Sequence, residues 1–448
     1  MERQQRSQRA REVTADLVAR GVRTVALTFV DNAGVTRVKA IPLERLGHAA
    51  AWGIGMSPVF DVFCVDDSIT TSRYVGGPAG DLRLYPDLDR VTALAAQPGW
   101  AWAPVDRLTQ EDQPYPCCQR TFARTTMERA RGLGLDLRAA FEVEWFVGDA
   151  DATPACAGPA YGMTRVVELS GYVDDLLAAL DAQEVPVEQF HPEYAPGQLE
   201  LSVAAADPVT AADRAVLVRQ TIRAVSRSYG YQVSFAPVVV AGVVGNGGHL
   251  HVSPWTGGRN LFSGGDGRYG LTPPGESVLA GLLDRLAALC AIGAPSPASY
   301  LRLVPQRWAG PWRCWGRENR EAALRLVTGT VGERDKAANA ELKCFDGAAN
   351  PYLLVGAVTA VAAASLDAGL RLPDEVPGDP ALLPPDAQPP RLPMNLPDAV
   401  DALRADDVLP AALGEPLLEA FCAVRRAEQE LFGKAEPQAV AEATRWAY

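Results

Sequence analysis

Four separated stretches of this chain alternate apolar residues with acidic or imidazole ones at a period of two, and few architectures can use that pattern. In FEVEWFV (141–147), Glu142 and Glu144 share one face while Phe141, Val143 and Trp145 share the other, which is too bulky to leave in water. In HPEYAPGQLELSV (191–203) a Pro-Gly turn separates Glu193 from Glu200, and Glu200 and Ser202 alternate against Leu199, Leu201 and Val203. In GNGGHLHVS (245–253), His249, His251 and Ser253 face away from Leu250 and Val252, and this stretch holds two of the chain's four histidines. In ANAELKCFD (338–346), Glu341 and Lys343 alternate against Leu342 and Cys344.

Any one of these segments reads as the solvated outer face of a sheet. Together they read differently. Five carboxylates facing one cavity would repel and would raise one another's pKa values unless cations held them apart. Oxygen-rich ligation with an imidazole suits Mg2+ or Mn2+ rather than a structural zinc. The arginine-rich stretch 300–327 supplies the opposite charge, and Arg302, Arg320 and Arg325 are candidates for bidentate recognition of carboxylate or phosphate. Divalent metal plus guanidinium is what phosphoryl transfer needs. There is no GxxxxGK[ST] loop, so any nucleotide is held without that cradle.

Composition removes other classes. A net charge of −12 with no segregated basic stripe argues against nucleic acid as a partner. The eight cysteines include no CxxC pair, which leaves reduced thiols and a cytoplasmic location as the expectation. The N-terminal segment lacks a signal peptide's apolar core, and the apolar run Tyr352–Leu366 falls short of the ~20 residues that span a bilayer, so it is expected as a buried helix and no membrane is implied.

The length suggests roughly two or three domains' worth of chain. A helix is expected over 7–20, then a hairpin over 24–43 around the turn DNAG, within a small front domain, 1–106. The remainder, 107–448, carries expected helices at 123–134, 171–183, 276–292, 350–370, 411–433 and 437–446. Asn350 and Pro351 form a cap-and-first-turn pair. A proline-rich surface segment occupies 372–397. The fold class is α+β.

The motifs EVE (142–144), HPEYAPGQLE (191–200), GNGGHLHVS (245–253), SYLRLVP (299–305), NREAALR (319–325) and ELKCFDGAANPYL (341–353) occur in an order that resembles type I glutamine synthetases and their relatives, the gamma-glutamyl-amine ligases. The resemblance spans nearly the whole chain. It implies an N-terminal beta-grasp domain, a catalytic domain forming a two-ended funnel, and a homo-oligomer, a dodecamer of two stacked hexameric rings with active sites shared between neighbours. It implies Glu144, Glu193 and Glu200 as ligands of one metal, and Glu142, His249 and Glu341 as ligands of an ATP-side metal, with about two or three Mg2+ or Mn2+ per site. His251, Ser253 and Arg325 correspond to ATP contacts, Arg320 and Arg325 to phosphate-stabilising arginines, and Gly245, Arg302 and Lys343 to glutamate-binding positions. Asp31, in the DNAG turn, corresponds to an aspartate that reaches the adjacent subunit's site. The implied reaction passes through a gamma-glutamyl phosphate that an amine then opens to an amide.

The departures from the family pattern concern mostly the amine. Where glutamine synthetases carry a flap glutamate that takes a proton from ammonium, this chain has Trp308, and the family's acidic DGSS segment has no clear counterpart in 52–68. Capture of a small cation needs negative charge. Trp308 can flank an organic amine, or it can simply pack against its loop as Trp312 and Trp315 could. Tyr172 is a further candidate for the amine site. Asp61, Asp66 and Asp67 could suit a polycation or form a solvated loop. Val244 stands for an asparagine, Asn339 for an arginine and Lys343 for an arginine, so the acid is expected to be glutamate with altered contacts. The leading expectation is an ATP-dependent ligase of glutamate and an organic amine, ethanolamine or a polyamine, leaning to the smaller. The alternatives are a conventional ammonium-using glutamine synthetase and a catalytically silent nucleotide-binding relative. No tyrosine stands in NLPDAV, so regulation by adenylylation is not expected.

Overall fold

A computed structural model of the chain describes residues 3–448. The front of the chain builds a sheet from β1 (Thr24–Val30), β2 (Thr36–Pro42), β3 (Ile54–Met56), β4 (Leu82–Pro86), β5 (Thr92–Ala93) and β6 (Trp100–Leu108). Its order is β2-β1-β6-β4-β3, with β5 paired to β6 and β1 lying parallel to β6. Val25, Leu27 and Phe29 of β1 are buried with Ala101, Ala103 and Val105 of β6, as the period-two pattern of TVALTFV requires. The expected hairpin is present in register Val30↔Thr36. One Asp31 carboxylate oxygen accepts from the Ala33 and Val35 amides, each at 2.9 Å, and Gly34 takes φ +84° to close the turn.

The rest of the chain is built on nine strands: β7 (Asp136–Gly148), β8 (Val187–Pro192), β9 (Gln198–Val203), β10 (Gln232–Ser234), β11 (Leu250–Thr256), β12 (Arg259–Asn260), β13 (Trp312–Arg317), β14 (Ala322–Val327) and β15 (Asn339–Leu342). The order is β13-β14-β15-β11-β7-β9-β8, with β10 on β7 and β12 on β11. All four stretches that began the sequence reading lie in this sheet or border it. Behind it, helix Pro208–Ser228 packs on β7, and Gln119–Gly132 and Pro351–Ser365 pack on that helix and on each other. The last is the buried apolar helix, and the Asn350 side chain accepts from the Tyr352 and Leu353 amides while Pro351 opens the first turn. Among the described residues no helix is long and apolar enough to cross a membrane.

Two expected helices are broken. The span 276–292 divides into Pro273–Asp284 and Leu286–Gly293 at Arg285, whose side chain turns to Asp406 and Asp407; no Gly or Pro marks the break. The span 411–433 divides into Leu409–Leu413 and Glu415–Phe432 at Gly414, which sits at φ +76°. Pro416 cannot donate back to the preceding turn, so it starts a new helix instead of continuing the old one. The segment 372–397 contains one short 3-10 turn, Pro380–Leu382, and short irregular stretches.

The DNAG turn plugs into this larger part of the chain. The Asn350 side-chain amide donates to the Val30 and Asp31 carbonyls, at 2.9 and 3.0 Å. A Cβ on Gly34 would stand 2.0 Å from the Ala348 carbonyl oxygen, so only glycine fits that approach. Arg425, fully buried, donates to the Asn32 carbonyl, and Glu428 beside it accepts from the Val65 amide at 2.9 Å.

Burial pushes the Glu428 carboxyl up to about 7 from 4.5, against the pull of Arg425. The folded state therefore holds this proton where the unfolded chain has released it. The group's stabilisation is complete below pH ~4.5 and is lost as pH rises through ~7. We expect Glu428→Gln, which cannot ionise, to have a melting temperature that falls less than wild type's between pH 5 and pH 8. Parallel melting curves across that range would contradict the assignment.

Candidate active site

The register of the sheet sets the site. Across β7, β9 and β8, Glu144 stands opposite Glu200 and Glu200 opposite His191. Across β14, β15 and β11, Arg325 stands opposite Glu341 and Glu341 opposite His251. Directly opposed residues in antiparallel strands share a face, so two rows of charged side chains project to one side. Leu250, Val252, Leu342, Val143 and Trp145 fill the other side and are buried.

Two three-residue clusters result. Glu142, His249 and Glu341 bring ligand atoms within 4.8 Å of one another, and His191, Glu193 and Glu200 do the same. His249 Nδ1 lies 3.1 Å from Glu142 and 3.2 Å from Glu341, while His251 Nε2 lies 3.1 Å from the other Glu142 oxygen. His191 Nε2 lies 3.0 Å from Glu193 and 3.5 Å from Glu200. Glu144 sits between the clusters, 3.7 Å from His249 Nε2, and accepts from the Gln198 side chain at 2.7 Å. The glycines of GNGGHLHVS permit this crowding, since a Cβ on Gly247 would come within 2.5 Å of both Glu144 and His249.

The electrostatics are those of a site built for cations. Burial and then the charges of Glu142, Glu144 and Glu193 push the Glu200 carboxyl well above the usual range. Burial also opposes ionisation of Glu142 and Glu341, but His251 and His249 hold the first, and Lys343 with the two imidazoles the second, well below that range. His251 is pulled up to about 9, its burial being outweighed by Glu142. Oxygen donors with imidazole in both clusters fit a hard divalent cation, which would relieve the repulsion that Glu200 records.

Two cavities flank this site. The larger, about 960 Å3, is lined by both clusters together with Gly245, Val244, Arg302, Trp308, Arg320, Arg325 and Lys343. The smaller, about 390 Å3, is lined by His251, Ser253, Asn339, Arg138 and Lys336. Glu142 lines both. Arg325 donates to Glu341 and Glu318, each at 3.0 Å, and Lys343 donates to Glu341 at 2.9 Å. Arg302 donates to the Lys343 carbonyl, and its buried Nη1 has no partner among the described residues. Arg320 is exposed at the cavity wall with its guanidinium uncommitted among the described residues. Ser253 accepts from the Trp255 ring nitrogen at 2.8 Å, and Asn339 bonds His251 Nδ1 at 2.8 Å.

Two residues differ from expectation. Tyr172 lies outside the site: it is 1% exposed, its hydroxyl bonds Ser226 and the Trp145 ring nitrogen, and Tyr229 and Tyr231 pack on its ring. Asp31, expected to serve an adjacent subunit's site, is buried in its own turn within this chain, with its second carboxylate oxygen taken by Arg37 at 2.7 Å. Asp61 is locked in a buried pair with Arg107 at 2.9 Å and is closed to a ligand. Conversely, His191, Tyr161 and Tyr194 belong to the cavity although the residue pattern singled out none of them. His191 alternates with Glu193 at the same period of two, a signal that could have found it. Tyr161 donates to Glu193 at 2.6 Å and stacks on His191, but it lies in an irregular segment with no periodicity to read.

Two acidic metal-type clusters on one face of a sheet, with guanidinium groups facing them, suit phosphoryl transfer, and the family matches make the chain an ATP-dependent ligase. The chain matches the glutamine synthetase N-terminal domain over residues 10–113 and the glutamine synthetase catalytic domain over residues 116–442, and it belongs to that family. It is 55% identical, over 98% of its length and 97% of the relative's, to gamma-glutamylpolyamine synthetase GlnA3 of Streptomyces coelicolor. It is 26% identical to a gamma-glutamylanilide synthase of Acinetobacter, over 97% of this chain and 93% of that one. Among solved structures, a glutamine synthase homolog superposes with TM-score 0.86 at 33% identity, covering 95% of this chain and 99% of its own. The GmaS/ADP complex superposes with TM-score 0.84 at 26% identity, covering 95% and 97%.

Removing one carboxylate from a cluster takes away both a ligand atom and a negative charge that would hold the cation. We expect Glu142→Gln to weaken Mn2+ binding by ~10-fold or more. Tyr172→Phe should change neither metal binding nor any KM, lowering only thermal stability. Titration of Mn2+ followed by electron paramagnetic resonance reads the first, and steady-state kinetics the second.

Proposed function

We propose that the protein joins the γ-carboxylate of glutamate to a primary amino group of a polyamine, by way of γ-glutamyl phosphate. The observation that carries this reading is the mouth of the larger cavity. Tyr161, Tyr194 and Trp308 are 49%, 54% and 47% exposed, and all three line it. The Trp308 and Tyr194 rings meet edge to face at 6.0 Å. By contrast Trp312 and Trp315 are buried, so Trp308 alone of these tryptophans is presented to a ligand. Large aromatic faces left in water beside carboxylates suit an extended cation with a methylene chain and further ammonium groups. A cavity of about 960 Å3 exceeds what glutamate and ethanolamine need together, which moves the reading from the small amine to the long one. The 55% identical polyamine synthetase supports the same choice.

The remaining roles follow from charge. The partnerless Nη1 of Arg302 and the ammonium of Lys343 suit the carboxylates of glutamate. ATP enters by the smaller cavity, where His251, Ser253, Arg138 and Lys336 suit its phosphates, and Arg320 and Arg325 face the transferred group. Mg2+ or Mn2+, held by Glu142, His249 and Glu341 and by Glu144, Glu193 and Glu200 with His191, would supply charge neutralisation at the phosphoryl oxygens. An oxygen of the γ-carboxylate attacks the terminal phosphorus and ADP leaves. The amine nitrogen then attacks the acyl carbon, phosphate leaves with the bonding pair, and the amine loses a proton. We further propose a cytoplasmic dodecamer of two hexameric rings with shared sites. Family membership supports that assembly, as does the edge strand β2, where Val38 is 55% exposed.

The test is phosphate release with glutamate, ATP and Mg2+ across ammonium, ethanolamine, putrescine and spermine. Spermine and putrescine are expected to exceed ammonium by ~100-fold in kcat/KM. Trp308→Ala should raise the spermine KM about tenfold. Turnover with ammonium alone would make the protein a conventional synthetase, and turnover with none a silent relative.

A further inference from the structure

Glu321 is a buried carboxylate, 6% exposed, that no lysine, arginine or histidine pairs with at salt-bridge distance among the described residues. Its oxygens go elsewhere. One accepts from the Trp308 amide at 2.8 Å and the other from the Gln306 amide at 3.3 Å. Both residues are in the left-handed region, at φ +53° and +60°, where glycine is the usual occupant. Burying a carboxylate without a cation is costly, and so is holding two non-glycine residues at positive φ in one short loop. The two costs occur together because each offsets the other: the amides solvate the carboxylate, and the carboxylate holds the backbone in its strained shape.

Other contacts aim this loop. Arg307 donates to the Gly242 carbonyl at 2.9 Å, tying it to the loop that ends at Val244 and Gly245. Glu321 is itself fixed, because its amide donates to the Asn319 side chain, which in turn donates to the Val376 and Gly378 carbonyls. Gly310 closes the loop at φ +63°, where a Cβ would stand 2.9 Å from Ala323. What the scaffold presents at the cavity mouth is the Trp308 ring against Tyr194.

We propose that Glu321 is a positioning residue for amine selection: it clamps the 306–308 loop so that Trp308 forms a fixed wall of the amine subsite. The inference rests on the amine-ligase reading above. It assigns to Glu321 no contact with substrate. Its effect on the reaction passes through Trp308, so it is felt by the amine and not by glutamate or ATP.

The test uses the full-length enzyme and two independent readouts. In Glu321→Gln the side chain keeps one acceptor and turns an N–H2 against the other amide. Trypsin cleavage after Arg307, mapped by mass spectrometry without any amine present, should speed up ~10-fold, since cleavage follows the population of the opened loop. The KM for the amine that wild type turns over best should rise ~10-fold while those for glutamate and ATP move by less than about twofold, as expected of a misplaced wall. In a Trp308→Ala background, Glu321→Gln should add nothing further to the amine KM, because the ring that the clamp positions is already gone. Glu321→Asp, which keeps both acceptors on a shorter stem, should fall between, and it carries the comparison if Glu321→Gln does not fold. Unchanged cleavage overturns the clamp. Faster cleavage with an unchanged amine KM, additive effects with Trp308→Ala, or a common shift in every KM overturns its role in selection. Failure of the polyamine reading shows separately, in the wild-type amine panel.

Discussion

Five carboxylates held on one side of a single sheet repel one another, and the whole molecule is arranged around that repulsion. The register that sets Glu144 against Glu200, and Glu341 against Arg325 and His251, leaves no freedom to spread the charges. A slip of one residue in any of these strands would turn its acidic row into the apolar core. The bulk of Phe141, Val143 and Trp145 on the reverse face forbids that slip, so the same residues that stabilise the fold compel the crowding. Cationic side chains answer only part of the charge. Glu341 has Lys343 and Arg325, Glu142 has two imidazoles, and among the described residues Glu200 has at salt-bridge distance only His191, at 3.5 Å. The unanswered part is the affinity for divalent cations.

The front domain serves this arrangement from a distance. Its DNAG turn enters the catalytic part beside Asn350, which caps the buried helix that supports the sheet. Asp31, Asn32 and Gly34 are therefore spent on shape within the chain: one carboxylate organises its turn and pairs with Arg37, one carbonyl satisfies Arg425, and one missing side chain admits Ala348. The mouth of the cavity obeys a different logic. There the backbone is strained and the aromatic rings are exposed, features that serve ligands more than stability.

Much of this was legible in the chain before any coordinates. Period-two alternation located the strands and the faces of Glu142, Glu144, Glu200, His249 and Glu341, because a bulky apolar face leaves only one side for polar groups. The cap at Asn350 was legible for the same local reason. What alternation cannot reveal is the content of irregular segments. Tyr161 reaches Glu193 from a stretch without periodicity, and Glu321 meets Trp308 through a backbone shape no residue type announces. Tyr172, a candidate for the amine site, is instead spent on buried bonds to Ser226 and Trp145, a tertiary environment that the residue alone does not announce. The helix breaks at Arg285 and Gly414 divide along the same line. Gly414 with a proline two residues on is a local stop, whereas Arg285 turns toward Asp407 under tertiary pull.

Glu142 borders both cavities. With the nucleotide in the smaller and the amine in the larger, as proposed above, each reactant would sit on its own side of that carboxylate, and neither would need the other's departure before it could bind.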